Sequence, residues 1–293
     1  MNDSTAFNPF GGPDVQHPEL ETARIVVLPL CYEQAPSYGG GSGDGPYHIT
    51  IASEQLEQFD EETLIEWGKL PIHTLPPMHF SEEPEACVMR MKSAARAVIE
   101  DKKFLLSLGG DHAISIGPIL AASEIWPEIG VLQVDAHLDL RDEWNGSCYN
   151  HACVMRRVLE AGVSPIVSVA ARAVSKEEYD VVASYGLKPL YAHRIDPLNF
   201  SWIDDILRVL PERVYLTVDL DGLDPSEMPG TGTPEPGGLS YRQLVRLIRA
   251  LGKEKQVVAA DVNELAKIEG SQVSETMAAR VAEKIIVYCS GCV

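Results

Sequence analysis

The segment VLQVDAHLDL, residues 131–140, places three polar side chains directly after a run of apolar ones. In an extended chain alternate side chains point to the same face, so Asp135, His137 and Asp139 should share one side. Two carboxylates and an imidazole crowded on one face are unfavourable unless a cation lies among them. The segment therefore predicts a buried strand that ends in candidate metal ligands.

Continuous apolar runs of this kind recur along the chain and are typical of strands that a parallel sheet buries on both faces. Six such runs span residues 23–30, 104–108, 130–134, 165–170, 214–218 and 257–262. Amphipathic segments lie between them, with Ser240 predicted as a helix N-cap and Gly162, Gly186 and Gly252 as C-terminal glycines. This alternation predicts a three-layer α/β/α sandwich with a mostly parallel central sheet. We expect one domain over residues 1–293, with residues 1–22 as a polar N-terminal extension.

Composition excludes several classes of function. The chain has 43 acidic residues against 24 lysines and arginines, a net charge of −19. Such a surface repels nucleic acid and anionic lipid, so we expect neither as a partner, whereas small cationic molecules are favoured. The chain has no apolar run of about 20 residues and no export signal, which predicts a cytoplasmic protein without a membrane span. Its six cysteines are expected to be free thiols, including the isolated pair Cys289 and Cys292.

Polar side chains follow four of the predicted strands, at the sheet edge where parallel α/β proteins bind ligands. Taken singly, His112 could be a hydrogen-bonded core residue, and Asp219 and Asp221 could be turn residues. Combined with the 131–140 segment, they place four carboxylates and two imidazoles at one edge. The strand-end residues are Asp111, His112, Asp135, His137, Asp139, Asp219, Asp221, Asn263 and Glu264.

The number and type of these groups indicate two metal ions. Six protein ligands are too many for one tetrahedral ion, but bridging carboxylates let them hold two ions about 3.5–4 Å apart. Oxygen donors outnumber nitrogen donors and no cysteine belongs to the set, which favours Mn²⁺ over structural zinc. Two divalent ions balance four carboxylates, and a hydroxide bound between them would make the site anionic and suited to a cationic substrate.

Four motifs, in this order, resemble those of the ureohydrolase family of arginases and agmatinases. They are GGDHAISIG (109–117), DAHLDLRD (135–142), HACVMRR (151–157) and VDLDGLDPSEMPGTGTPEPGGLS (218–240). The resemblance covers about residues 24–288 and implies a three-layer fold with two Mn²⁺ ions. It also implies assembly as a homotrimer or homohexamer.

The resemblance further implies a role for each matching residue. One metal would be held by His112, Asp135, Asp139 and Asp219, and the other by Asp135, His137, Asp219 and Asp221. A metal-activated water would attack the guanidinium carbon, yielding urea and an amine. Asp139 would give the departing amine its proton, His151 would shuttle protons, and Glu264 would accept the guanidinium N–H groups.

The segment GSCYNHA, residues 146–152, bears on the substrate. Arginases typically carry Ser-Gly-Asn-x-His before the loop histidine, and this chain does not, which disfavours arginine. We therefore expect agmatine, hydrolysed to putrescine and urea, with Asp142 or Glu143 as possible partners of its distal ammonium. Guanidinobutyrate, aminopropylagmatine and arginine remain alternatives of the same chemistry. A catalytically inactive, metal-binding oligomer is the alternative of another class.

Overall fold

All six predicted runs form strands of one sheet in the computed structural model, which describes residues 7–292. Every pairing in this sheet is parallel. The strands are β1 Ile25–Cys31, β2 Phe59–Asp60, β3 Ile65–Glu66, β4 Ile72–Thr74, β5 Met78–His79, β6 Phe104–Gly109, β7 Gly130–Val134, β8 Ile166–Ala171, β9 Leu190–Tyr191, β10 Arg213–Asp219 and β11 Gln256–Asn263. Of these, β2 and β3 pair antiparallel in a separate two-stranded ribbon.

The order of the strands brings the predicted site together. The sheet runs β4-β1-β6-β11-β10-β7-β8-β9, with β5 also pairing with β1. The four strands that end in polar residues, β6, β11, β10 and β7, are therefore neighbours at the centre. Their registers are level, since Val218 pairs with Val134 and Val262 with Leu108, so their carboxyl ends meet at one edge.

Helices cover both faces of this sheet. Successive strand residues point to opposite faces: Leu106 belongs to a core cluster with Leu247 and Ile285, and Leu105 to a second cluster with Met91. The three-layer α/β/α prediction is thus confirmed. The helices are α1 Gly45–Ser53, α2 Pro84–Glu100, α3 Ile116–Ile125, α4 Val154–Glu160, α5 Lys176–Tyr185, α6 Ser201–Val209, α7 Tyr241–Glu254 and α8 Val273–Cys289.

The predicted helix ends are confirmed with one exception. Ser240 caps α7 in a capping box with Gln243, and Gly162 and Gly186 have left-handed φ values of +83° and +66°. Gly252 does not end a helix, because α7 continues to Glu254. A Cβ at Gly252 would lie 2.1 Å from the carbonyl oxygen of Tyr288, so glycine is needed there for the close packing of α7 on α8.

The amino-terminal segment is more closely packed than a polar extension would be. Residues 1–6 lie outside the described part, but Phe10 and Val15 belong to the same core cluster as α8. The backbone N–H of Gly11 donates to Ser53 Oγ at 2.8 Å on α1, a helix that the sequence pattern did not predict. Residues 7–22 are therefore docked on the sandwich.

Within residues 7–292, no helix combines the length and apolar character that a membrane crossing requires. All six cysteines are free, and Cys289 is buried at the end of α8.

Candidate metal centre

The segment that carries Asp135, His137 and Asp139 is bent, contrary to the extended geometry assumed from sequence. Strand β7 ends at Val134, and Asp139 has a left-handed φ of +53°. The three side chains nevertheless converge, because hydrogen bonds from backbone N–H groups to carboxylates fix the bend. The N–H of His137 donates to Asp135 Oδ1 at 2.6 Å, and the N–H of Ala136 donates to Asp221 Oδ1 at 3.0 Å.

A tight turn after β6 positions His112. A Cβ on Gly110 would lie 1.8 Å from the carbonyl oxygen of Tyr32, so only glycine lets these two segments of the backbone approach so closely. Asp111 then caps the short 3₁₀ turn by accepting the N–H of Ala113 at 3.0 Å. Burial raises the pKa of Asp111 to about 7. Asp111 is thus a turn residue that supports His112.

The segment after β10 also forms a 3₁₀ turn. Asp219 caps it by accepting the N–H of Asp221 at 2.9 Å. Asp219 and Asp221 are therefore turn residues, and the same turn holds both acids at the sheet edge where the sequence pattern predicts candidate ligands.

The imidazoles of His112 and His137 face the acids. His112 Nδ1 lies 2.8 Å from Asp139, 3.0 Å from Asp135 and 3.4 Å from Asp219. His137 Nδ1 lies 3.1 Å from Asp221 and 3.5 Å from Asp135. Two groups of possible ligands result, His112 with Asp135 and Asp219, and His137 with Asp135 and Asp221. Because Asp135 belongs to both groups, the arrangement suits a pair of ions with a bridging carboxylate.

Two buried atoms of this cluster show that the residues fit a metal. His112 Nδ1 and Asp139 Oδ2 are 2.8 Å apart, yet neither makes a hydrogen bond of acceptable geometry within the described residues. Leaving such buried polar atoms unsatisfied is costly. A cation bound between the two atoms would satisfy both of them.

The electrostatics of the acids lead to the same conclusion. Burial, together with the charges of Asp221 and Asp135, raises the pKa of Asp219 well above its ordinary value. Burial and the charge of Asp135 raise the pKa of Asp139 to about 7. Burial opposes the ionisation of Asp135 as well, but the adjacent imidazoles of His112 and His137 outweigh it and lower the pKa of Asp135. Four ionised carboxylates at this spacing require added positive charge.

A layer of buried polar residues lies beneath the cluster, and sequence reasoning missed it. Thr217 Oγ1 lies 2.9 Å from His112 Nε2 and donates to Asp261 at 2.7 Å. Gln133 donates to Asp135 at 2.8 Å. A usable signal was present, since polar residues within buried apolar strands need partners.

Glu264 is held beside His112. Its backbone has a left-handed φ of +65°, and its N–H donates to the carbonyl oxygen of Gly110 at 2.8 Å. Glu264 Oε1 accepts the N–H of His112 at 2.7 Å. Burial and the charge of Asp111 raise the pKa of Glu264 well above its ordinary value.

His151 lies at the mouth of the site, in a hydrogen-bonded bridge between two loops. Ser37 Oγ lies 2.8 Å from His151 Nε2 and accepts the indole N–H of Trp144 at 2.9 Å. The side-chain amide of Asn145 also donates to the carbonyl oxygen of Ala35, at 3.2 Å. Burial lowers the pKa of His151 to about 4. His151 is therefore neutral at physiological pH.

A cavity of about 360 Å³ joins these groups. Seven of the eight predicted site residues line it, and the eighth, Asp135, is buried and outside the lining. Asp142 and Glu143, considered for the distal ammonium, are outside the lining, and Asp142 binds Arg157 at 2.6 Å. The predicted residues in the lining are His112, His137, Asp139, His151, Asp219, Asp221 and Glu264.

Comparison with known proteins agrees with this geometry. The sequence model of the arginase family matches residues 23–288. This chain belongs to the arginase family. It is a ureohydrolase, and the resemblance, the fold and the enzyme class inferred from its motifs are confirmed.

Individual relatives match almost the whole chain. The N(1)-aminopropylagmatine ureohydrolase of Synechocystis sp. is 40% identical over 91% of this chain and 89% of its own length. The protein of that name from Thermus thermophilus is 39% identical over 87% of this chain and 86% of its own. The crystal structure of agmatine ureohydrolase from Thermoplasma volcanium superposes with a TM-score of 0.85, at 31% identity, covering 92% of this chain and 90% of that chain.

Proposed function

We propose that this arginase-family enzyme hydrolyses the guanidino group of N1-aminopropylagmatine to urea and spermidine, with two Mn²⁺ ions per subunit. The observation that carries the substrate is the 40% identity to the Synechocystis N(1)-aminopropylagmatine ureohydrolase over 91% of the chain. The sequence pattern alone favoured agmatine and kept aminopropylagmatine as an alternative. Both are cations with the same guanidino end, so the site described above suits either.

The donor set supports Mn²⁺ as the metal. The proposed ligands are the six histidine and aspartate side chains that face one another at the sheet edge, and they offer carboxylate oxygens and imidazole nitrogens without a thiolate. Asp135, shared by both groups of ligands, would bridge the ions. Asp219 and Asp139, which also lie close to His112 Nδ1, would help to hold the ion on the His112 side. When bound, the ions would supply Lewis-acid activation of the attacking water. The ligands are His112, Asp135, His137, Asp139, Asp219 and Asp221.

The protein groups around the ions have distinct proposed tasks. Glu264 binds the guanidinium through Oε2, because its Oε1 already accepts the N–H of His112. This contact directs the guanidinium carbon toward the acids at the cavity floor. Asp139, buried beside His112, would take a proton from the attacking water and pass it to the departing amine. His151 connects the cavity to solvent through Ser37 and exchanges protons between them.

A substrate panel tests the proposal. Metal-free protein is supplied with Mn²⁺, and urea release is measured with N1-aminopropylagmatine, agmatine, 4-guanidinobutyrate and arginine. We expect the highest kcat/KM for N1-aminopropylagmatine and less than 1% of that value for arginine. A higher kcat/KM for agmatine would refute the proposed substrate while leaving the ureohydrolase chemistry intact.

Agmatine is the second candidate. It is favoured by the structural match to the Thermoplasma volcanium agmatine ureohydrolase at 31% identity. Its product would be putrescine. The inactive-oligomer alternative predicts two bound ions per subunit without urea release from any compound of the panel. Assembly as a homotrimer or homohexamer and a cytoplasmic location stay predictions.

A further inference from the structure

A line of buried polar contacts runs from the metal-facing histidine into the sheet. His112 Nε2, on the side of the ring away from the acids, lies 2.9 Å from Thr217 Oγ1. Thr217 Oγ1 lies 2.7 Å from Asp261 Oδ1. Thr217 on β10 and Asp261 on β11 are fully buried, and His112 is 1% exposed. Three polar groups are therefore linked in a region that water does not reach.

The hydrogen bonds to Asp261 determine which way this line runs. Tyr215 donates its hydroxyl to Asp261 Oδ2 at 2.7 Å, and the Asn263 amide donates to Oδ1 at 2.8 Å. With donors on both of its oxygens, Asp261 acts as an acceptor. Thr217 has one hydroxyl proton, and it is directed to Asp261 Oδ1. The remaining lone pairs of Thr217 Oγ1 then face His112, so His112 Nε2 must carry a proton to complete the line.

A protonated Nε2 has a consequence at the other nitrogen. A neutral imidazole carries one proton, so placing it on Nε2 leaves the lone pair on Nδ1. Nδ1 is the atom that lies between Asp139 and Asp135. In the opposite arrangement, Thr217 would donate to Nε2 and a proton on Nδ1 would block a metal.

We propose that Thr217 and Asp261 are positioning residues that fix the proton of His112 on Nε2 and direct the Nδ1 lone pair toward the metal on that side. This inference rests on the proposed metal centre. The inference goes beyond that metal centre, because it gives a role to two residues that are not ligands. It also gives a direction to the hydrogen bonds that connect them with His112. Groups in this outer position orient a histidine ligand and make it more basic, and their loss typically weakens metal binding 10–100-fold.

The test compares Thr217→Val with Thr217→Ser. Valine keeps the shape and the strand preference of threonine but removes the hydroxyl, whereas serine restores it. Thr50→Val is the matched control, because Thr50 is also buried and its hydroxyl binds the carbonyl oxygen of Pro46, away from the site. Mn²⁺ binding to each metal-free protein is followed by titration calorimetry, and urea denaturation of the same samples reports the cost in stability.

We expect Thr217→Val to weaken one of the two Mn²⁺ sites about 10–100-fold and to leave the other within about threefold. Thr217→Ser should bind like the unaltered protein, and Thr50→Val should change stability alone. Asp261→Asn replaces a carboxylate by a side chain that can donate a hydrogen bond, and it should weaken the same Mn²⁺ site. This variant replaces Thr217→Val as the test if the valine variant does not fold. Unchanged affinity in Thr217→Val and Asp261→Asn, or equal weakening of both sites, would overturn the proposal.

The outcome is separable from that of the proposed function, because the titration contains no substrate. Protein that binds two ions and releases no urea would refute the proposed activity and still show whether Thr217 acts on one site. Protein that releases urea while Thr217→Val binds both ions normally would refute the positioning role alone.

Discussion

Replacing Glu264 by glutamine tests how the guanidino group is bound. In the structure Oε1 is already occupied by the N–H of His112, so only Oε2 is free to accept from a guanidinium. Glutamine can keep the bond to His112 through its carbonyl oxygen, but its amide then presents N–H groups to the cation. One charge-assisted hydrogen bond is lost, worth about 1.5–3 kcal/mol. At about 1.4 kcal/mol per factor of ten, Glu264→Gln should lower kcat/KM roughly 10–150-fold.

The assay is urea release with N1-aminopropylagmatine and with agmatine, at saturating Mn²⁺. If Glu264 holds substrate equally in the ground and transition states, the loss should appear mainly in KM. Glu269→Gln, an exposed change five residues along the same segment, is the control and should behave as the unaltered enzyme. The reasoning is refuted if Glu264→Gln keeps kcat/KM within about threefold of that control for both compounds.

Three further changes test other parts of the structure. Burial raises the pKa of Glu283 from 4.5 to about 7. Between these pH values the folded protein keeps the Glu283 proton, whereas the unfolded protein has lost it. This group should therefore lower the free energy of unfolding by about 3 kcal/mol as the pH rises from 4.5 to 7. Urea denaturation should therefore show Glu283→Gln gaining about that much on the unaltered protein from pH 4.5 to 7.5, and a constant difference would contradict this. Ser37→Ala removes the hydrogen bonds of Ser37 to Trp144 and to His151. Urea-release assays should show kcat/KM lowered about 2–12-fold, the effect of losing the one neutral hydrogen bond to His151, with Ser37→Thr restoring it. Phe10→Ala should cost about 3–5 kcal/mol in urea denaturation if residues 7–22 are part of the core, whereas a loss below about 1 kcal/mol would mean that the segment is not.

The sheet was predictable because its strands are buried on both faces. Such burial requires continuous apolar runs, and few other sequence patterns can meet this requirement. Helices that lie on one face of the sheet carry an amphipathic pattern, and α2 and α7 were predicted for that reason. The pattern is missing in α3, which is apolar almost all round, and this helix was not predicted. Gly252 shows a second limit, because glycine is required there by the approach of α8, a contact between distant segments that no local signal records.

The convergence of the site was predicted correctly from a local geometry that the structure does not have. Alternation along a strand was used to place Asp135, His137 and Asp139 on one face, but the chain is bent and Asp139 has a positive φ. The side-chain types show that these carboxylates and the imidazole need a common cation. They need it whether the backbone that carries them is bent or extended. One hydrogen bond that shapes the bend, from the backbone N–H of Ala136 to the Asp221 carboxylate, joins segments 85 residues apart and leaves no local pattern.

Residues at the strand ends are easier to recognise from the sequence than residues at the cavity mouth, because of where the two sets lie in the chain. The groups proposed to bind the metals and the guanidinium follow strand ends, where polar residues in an apolar context stand out. The cavity mouth is formed by Ser37 and Trp144, from two surface loops in which polar residues and glycines are ordinary. Asp142 illustrates the problem, since its charge suggested an ammonium partner but is engaged by Arg157. Because the mouth loops contribute none of the proposed metal ligands, the preference among guanidino compounds can change through these loops while the metal centre stays the same.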